Sequence, residues 1–268
     1  MDKESFHREI NKNCEPLFFL DEFLNTGHSQ GTANATVTYI KFESKFYALT
    51  CRHVIEGLLE ENSRNRTRLG LATSYSRSFS FFHRLDPGSG RFIPSFVIPQ
   101  TVAAPDIAIH LFGSALPGPQ SSKGKQAIDL DQFVEPLWAN VTFGAAVGFG
   151  TEHKYPEVDK VAAPMHVVVA DLANNVRDDS TQIILSSALD KPHNTFFSGM
   201  SGGPLYVEDG SDMPKFAGIV FEGIPGGSKA WKERKPEEAF MKESDILIYA
   251  LRVTPEVLRN WLQACVWP

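Results

Sequence analysis

The residues best suited to covalent chemistry lie in the segment 197–205, whose sequence is FSGMSGGPL. Glycines surround Ser201, so the backbone can turn sharply there and present the hydroxyl without obstruction by neighbouring side chains. Such a turn also leaves backbone N–H groups available to an anion. A serine hydroxyl is a weak nucleophile at neutral pH, so this chemistry requires a base beside it. The segment therefore predicts a nucleophilic serine with its base elsewhere in the chain.

The order of residues along the chain restricts the class of serine enzyme. The pattern Gly199-x-Ser201-x-Gly203 also fits the nucleophile elbow of α/β-hydrolases, which place their acid and then their His after the serine. All eight His of this chain lie at or before His193, which excludes that class. An order of Asp, His and Ser is typical of a parallel-sheet protein, whereas the segments before Ser201 favour antiparallel strands. The order His, Asp, Ser fits best.

Two residues upstream have surroundings that suit the other roles. His53 ends the segment FYALTCRH, which predicts a strand followed by a short helix. Asp106 precedes the apolar run IAI, and Asp86, in an Asp-Pro-Gly turn, is a weaker alternative for the acid. Cys51 lies two residues before His53, but no second Cys or His pair lies at zinc-ligand spacing. We therefore expect Cys51 to be a buried thiol and predict no metal.

Three blocks of sequence in this order resemble the trypsin-like (chymotrypsin-fold) serine peptidases, and more nearly their bacterial and intracellular members. The blocks are Gly31-Thr32 with 49–54, then 106–108, then 199–205 with 217–220. The resemblance implies a serine endopeptidase that needs no cofactor and acts on protein or peptide substrates. Ser201 would be the nucleophile, His53 the general base and Asp106 the residue that orients the imidazole. The N–H groups of Gly199 and Ser201 would form the oxyanion hole.

The resemblance also implies where a substrate would bind. Strand 216–221 with Glu222 and Gly223 matches the segment that pairs with an extended substrate backbone. The pocket for the substrate side chain before the cleaved bond (P1) would have Thr195 at its floor. Its walls would be formed by Phe196, Val220 and Phe221. Since this pocket holds no charged group, we expect uncharged P1 side chains.

Met200 is a departure from the family pattern. Secreted mammalian members carry an acid at this place, which pairs with a newly cut N-terminus to order the oxyanion hole. Methionine cannot make that pair, so we expect competence without N-terminal cleavage. Restraint of the activity would then come from a regulatory partner, from ordering by substrate, or from an occluding loop such as 229–243.

The rest of the chain predicts an all-β protein. Its 268 residues contain 20 Gly and 17 Pro, and short apolar or alternating runs recur between turn residues. The predicted strands are 35–40, 46–49, 92–98, 107–112, 141–147, 166–170, 182–185, 204–207, 215–221 and 246–252. Predicted helices are 54–60 and, capped by Thr254 with Pro255 in first position, 254–263.

These elements predict two antiparallel β-barrels packed face to face, with the active site between them and a C-terminal helix. We expect an N-terminal extension over 1–27 and a peptidase domain over 28–268. Its first barrel covers about 28–120 and its second about 126–252, joined through the turn-rich segment 113–125.

Charge and hydropathy limit the partners. A net charge of −6 does not favour a general electrostatic grip on nucleic acid. Arginines interleaved with aromatic residues over 64–91 fit exposed strand faces as well as a nucleic-acid patch. No apolar run reaches the length of a membrane span, and the charged N-terminus lacks a secretory signal, so we expect a cytoplasmic protein. Two alternatives remain, a catalytically silent scaffold that binds partners and an esterase on the same scaffold.

Overall fold

A computed structural model of the chain describes ten stretches, most of which are β structure. The described residues are 9–19, 34–57, 69–71, 82–86, 91–101, 105–150, 155–157, 160–188, 199–225 and 245–267. Their strands are β1 (Cys14–Phe19), β2 (Asn34–Phe42), β3 (Lys45–Thr50), β4 (Leu69–Leu71), β5 (His83–Asp86), β6 (Arg91–Pro94), β7 (Ala108–Gly113), β8 (Ile128–Asp129), β9 (Phe143–Gly148), β10 (Tyr155–Glu157), β11 (Lys160–Ala162), β12 (His166–Leu172), β13 (Gln182–Ala188), β14 (Pro204–Glu208), β15 (Lys215–Pro225) and β16 (Asp245–Arg252).

The C-terminal half forms a closed barrel of six antiparallel strands. Their order is β12-β13-β16-β15-β14-β9. Along each strand alternate side chains face inward, and the interior is filled by small and branched residues such as Ala146, Ile183, Leu205 and Ala250. Small residues suit a barrel of this size because side chains from opposite walls must meet at its axis.

The N-terminal half forms a second sheet. The strand order is β4-β1-β2-β3-β7, antiparallel throughout, with the short β8 pairing in parallel with β2. Strand β1 lies within the segment expected to be an extension, so this sheet begins at Cys14. Cys14 and Leu17 are buried, and Glu15 is buried as well because it accepts hydrogen bonds from Tyr39 and from Lys123 at 2.8 Å. Because a carboxylate is not expected at a buried strand position, the sequence pattern did not indicate this strand.

The two halves pack against each other through one shared hydrophobic cluster. The barrel contributes outward-facing Ile219 and Leu251, and the N-terminal sheet contributes Ile40 and Leu49. The cluster also includes Leu258 and Trp261 from the C-terminal helix α2 (Pro255–Gln263). Together with the closed barrel, this arrangement confirms the prediction of an all-β fold with a C-terminal helix.

The helices agree with the sequence in part. Thr254 caps α2 by accepting the N–H of Val257 at 3.2 Å, and Pro255 occupies the first turn, as predicted. Residues 52–57 are helical, so the helix begins two residues before the predicted range of 54–60, whose last three residues lie outside the described ones. The turn-rich segment 113–125 contains a short helix, α1 (Gly118–Ser122). No helix in the described ranges is long and apolar enough to cross a membrane.

His110 of β7 is a buried histidine enclosed by aromatic rings. It lies edge-on to Phe82 and Phe112, and its Nδ1 is 2.9 Å from the Ser95 hydroxyl. Burial, the dominant cause, lowers its pKa from 6.5 to about 4. The unfolded chain therefore takes up this proton at a higher pH than the folded chain does.

We expect the free energy of unfolding to fall as the pH drops from about 6.5 to about 4. The shift corresponds to a loss on the order of 3 kcal/mol, since each pKa unit is worth about 1.4 kcal/mol. His110→Gln does not titrate and should show a smaller loss over this range. Urea unfolding near neutral pH and near pH 4 measures both. Equal losses in the two proteins would contradict the assignment to His110.

Candidate active site

The pairing of two strands brings His53 and Asp106 together. β3 and β7 are antiparallel neighbours in which Thr50 lies opposite Ala108. His53 follows the end of β3 and Asp106 precedes the start of β7. Both residues therefore lie at the same end of this strand pair. His53 Nδ1 is 2.6 Å from Asp106 Oδ2, and the backbone N–H of His53 donates to Asp106 Oδ1 at 2.9 Å. The carboxylate thus fixes both the ring and the backbone of the histidine.

Asp106 is an ionised carboxylate in a partly buried place. Burial is the largest effect and by itself would raise its pKa. The side chain of His53 and the backbone N–H groups of His53 and Arg52 oppose this effect, and together they bring the pKa below its usual value. An ionised Asp106 can orient the imidazole and stabilise its protonated form. The alternative acid, Asp86, lies opposite Arg91 in the β5–β6 hairpin.

Ser201 lies in a turn whose successive peptide groups are each held by a hydrogen bond. The carbonyl of Gly199 accepts from the Thr36 hydroxyl at 2.7 Å. The carbonyl of Met200 accepts from the N–H of Gly203 at 2.9 Å, and that of Ser201 from the N–H of Thr36 at 2.9 Å. Among the described residues, the N–H groups of Gly199 and Ser201 have no acceptor. These are the two N–H groups that the sequence predicts as donors of the oxyanion hole.

Two threonines of β2 hold this turn, and sequence reasoning missed both. Besides Thr36, Thr38 donates its hydroxyl to the carbonyl of Gly202 at 2.7 Å. Both threonines are fully buried. The available signal was the alternation of Thr with apolar residues in ATVTYI, but that pattern also fits a strand with one face in water.

Crowding explains the glycines that follow Ser201. A Cβ on Gly203 would lie 1.8 Å from the carbonyl oxygen of Val147, and one on Gly202 would lie 2.0 Å from that of Thr36. Gly202 also has a φ of +91°, which other residues rarely adopt. The turn is thus pressed between β9 of the barrel and β2 of the N-terminal sheet.

The Ser201 hydroxyl is directed toward β15. Its Oγ donates to the carbonyl of Phe221 at 3.3 Å, and the described residues include no hydrogen bond between Oγ and His53. Phe221 sits at a bulge where the pairing of β15 with β16 shifts between Val220 and Glu222. The structure therefore brings together His53 and Asp106 as a bonded pair, with Ser201 on a separate, firmly held turn.

Cys51 lies behind this pair as a buried thiol. Its Sγ donates to the carbonyl of Val220 at 3.3 Å, and burial raises its pKa well above the usual value. Ligand atoms of Cys51, His53 and Asp106 lie within 4.8 Å of one another. The imidazole and the carboxylate are already bonded to each other, and metals bind the thiolate rather than the thiol. The donor set fits a structural thiol better than a metal centre.

The predicted substrate-binding residues fall in different places. Thr195 and Phe196 lie outside the described residues. The Val220 side chain is buried in the barrel interior, and the partly buried Phe221 packs near Tyr249 with ring centroids 6.1 Å apart. Glu222 is exposed. Past Val220, β15 pairs with β16 but with no second strand among those described.

Comparisons with known proteins give likenesses at the level of structure. No protein-family model matches the chain, and no curated protein matches its sequence. A thermostable serine protease from an extremophilic microorganism is 12% identical with a TM-score of 0.47, covering 94% of this chain and 96% of its own. Protease Anisep from Arthrobacter nicotinovorans is 12% identical with a TM-score of 0.46, at 94% and 95% coverage. Human heparin binding protein is 12% identical with a TM-score of 0.45, at 96% and 91% coverage.

The crowding at Gly203 generates a stability prediction. Gly203→Ala forces a Cβ against the Val147 carbonyl, and we expect it to lower the free energy of unfolding by about 3 kcal/mol or more. Gly118→Ala is the matched control, because nothing lies within 4 Å of a Cβ there. It should change stability by less than about 1 kcal/mol. Urea denaturation compares the three proteins, and similar stabilities for both variants would contradict the packing of the turn.

Proposed function

We propose that the protein is a serine endopeptidase in which Ser201, His53 and Asp106 form the catalytic triad. The observation that carries the proposal is the 2.6 Å contact between His53 and an ionised Asp106, in a protein that also holds a serine on a firmly bonded turn. A carboxylate in this place fixes the tautomer of the imidazole so that Nε2 can accept a proton. The His53 side chain is half exposed to solvent.

The first step would be acylation of Ser201. The hydroxyl turns from the Phe221 carbonyl toward His53, which takes its proton as Oγ attacks the substrate carbonyl. The N–H groups of Gly199 and Ser201 stabilise the negative oxygen that forms. His53 then gives its proton to the leaving amine, the peptide C–N bond breaks, and an acyl-enzyme remains. Asp106 stabilises the protonated imidazole throughout.

Water would complete the cycle by the same route. His53 takes a proton from the water molecule as its oxygen attacks the ester, and then returns that proton to Ser201 as the ester bond breaks. The reaction uses no metal or organic cofactor. Extended peptides suit this site because a substrate strand can pair with the backbone of β15 beyond Val220.

A silent, partner-binding domain is the second candidate. The observation that favours it is the 3.3 Å bond from Ser201 to Phe221, which occupies the hydroxyl in place of a bond to His53. Catalytic hydrogen bonds are often long or misaligned in free enzymes and tighten with substrate, so the peptidase remains the better proposal. The two candidates differ in whether Ser201 reacts.

A fluorophosphonate probe distinguishes these functions. We expect a single adduct on Ser201, which mass spectrometry of the intact protein and its peptides would locate. Ser201→Ala should lose the adduct and lower kcat by about a millionfold, and Asp106→Asn by about ten-thousandfold through the wrong tautomer. The Gly118→Ala variant serves as the active control. A wild-type protein that folds but does not react would favour the silent domain.

We also propose that the P1 pocket accepts uncharged side chains. Thr195, at the expected floor, offers only a hydroxyl, whereas a buried acid there would attract Lys or Arg.

A peptide-library digest should therefore give dominant cleavage after apolar residues. Thr195→Asp should raise cleavage after Lys and Arg, relative to apolar residues, by at least about tenfold, while Thr195→Asn should not. Dominant cleavage after Lys, Arg or Glu by the wild-type protein would refute the proposal.

A further inference from the structure

We infer that Thr36 is a positioning residue of the site: it fixes the two peptide groups on either side of the Met200–Ser201 peptide group, whose N–H is a predicted oxyanion donor. The inference rests on the proposed peptidase function. Thr36 lies on β2, in the other half of the molecule from Ser201, and 163 residues separate it from Gly199. No substrate atom needs to touch it, so its effect would act entirely through the turn.

One residue binds the carbonyls of both predicted oxyanion donors. The Thr36 hydroxyl donates to the Gly199 carbonyl at 2.7 Å, and its backbone N–H donates to the Ser201 carbonyl at 2.9 Å. The C=O and N–H of a peptide group point in opposite directions, so fixing a carbonyl also fixes the N–H of the next residue. These bonds restrict rotation on both sides of Ser201.

The remaining peptide group is held from within the turn. The Met200 carbonyl accepts from Gly203, which directs the N–H of Ser201 away from that bond. The N–H of Gly202 donates to the Val220 carbonyl at 2.8 Å. Gly199 has a φ of +95°, and its own N–H belongs to the peptide group before the one that Thr36 holds. The hydroxyl of Thr36 is thus the side-chain donor to the Gly199 carbonyl, as that of Thr38 is to the Gly202 carbonyl.

The hydroxyl is also satisfied as an acceptor. The N–H of Phe149, just after β9, donates to Thr36 Oγ1 at 3.1 Å. The hydroxyl therefore joins the barrel wall to the nucleophile turn through β2. Valine has nearly the same shape as threonine but can neither donate to Gly199 nor accept from Phe149. In this fully buried place, losing both bonds should let the Gly199 peptide group rotate.

Met200 shows why the turn needs such a support. Its side chain is buried in the barrel interior, only 2% exposed, and it offers no charge for an ion pair. The turn is therefore fixed by an apolar anchor on the barrel side and by Thr36 on the other. Both are present in the intact chain, so the frame requires no cleavage of the N-terminus.

The test compares three buried-threonine variants. Thr36→Val removes the hydroxyl, and Thr36→Ser restores it. Thr50→Val is the matched control, because the Thr50 hydroxyl is equally buried and donates to the backbone carbonyl of Thr36 at 2.9 Å without binding a carbonyl of the turn. Urea unfolding compares the free energies of unfolding of the three variants and the wild-type protein.

We expect Thr36→Val to lower kcat on a peptide substrate by about tenfold to a hundredfold, because small misplacements of catalytic groups have effects of this size. Its KM should change less than about twofold. Affinity for a peptide aldehyde, which forms a tetrahedral adduct, should fall in parallel with kcat/KM. Thr36→Ser and Thr50→Val should stay within about threefold of wild-type kcat. Amide exchange at Phe149 should accelerate in Thr36→Val and not in Thr36→Ser.

The outcomes separate the inference from the proposed function. Wild-type kcat in Thr36→Val, or an equal loss in Thr50→Val, would overturn the positioning role while leaving the peptidase intact. A raised KM with unchanged kcat would also overturn it. A wild-type protein that never reacts with fluorophosphonate would overturn the peptidase, and with it the catalytic part of the inference. Unchanged exchange at Phe149 in Thr36→Val would then overturn its structural part.

Discussion

The backbone carbonyls of the turn at 199–203 lie where the two halves of the molecule meet, and each needs a donor because water is excluded there. β2 supplies three of these donors, the hydroxyls of Thr36 and Thr38 and the N–H of Thr36. The N–H groups of Gly203 and Val220 supply the other two. The contact with β2 leaves no room for a side chain at Gly202, and the Val147 carbonyl of the barrel leaves none at Gly203. The contact with β2 also sets how closely the N-terminal sheet approaches the barrel, and the shared hydrophobic cluster then fills the remaining interface.

The electrostatics of the site depend on a balance at Asp106. Burial favours the protonated acid, while three donors from His53 and Arg52 favour the carboxylate, and the donors prevail. Two of these donors are backbone N–H groups, so the start of the helical residues 52–57 is itself part of the support. The thiol of Cys51, which lies close to His53 and Asp106, stays neutral because burial raises its pKa. It therefore adds no negative charge that would compete with Asp106 for the imidazole.

The sequence predicted those parts of the molecule that depend on local pattern. Turn residues around Ser201, the strand ends beside His53 and Asp106, and the cap at Thr254 all have local signals, and the structure places them as expected. β1 was hidden because Glu15 is buried through pairing with Lys123 and Tyr39, which lie far away in the chain. The role of Thr36 and Thr38 in holding the turn could not be predicted for a related reason. A polar residue on an alternating strand looks solvent-facing unless its buried partner is known.

The separation between Thr36 and Gly199 also bears on how the molecule comes into being. Bonds between residues 163 and 164 positions apart raise the contact order of the chain, and a high contact order is associated with slow folding. During synthesis the N-terminal sheet leaves the ribosome long before the turn that it must support. The nascent chain therefore carries Ser201 on an unsupported turn until the barrel closes. A chain in which the two halves have not yet met therefore lacks the Thr36 bonds that hold the turn at Ser201.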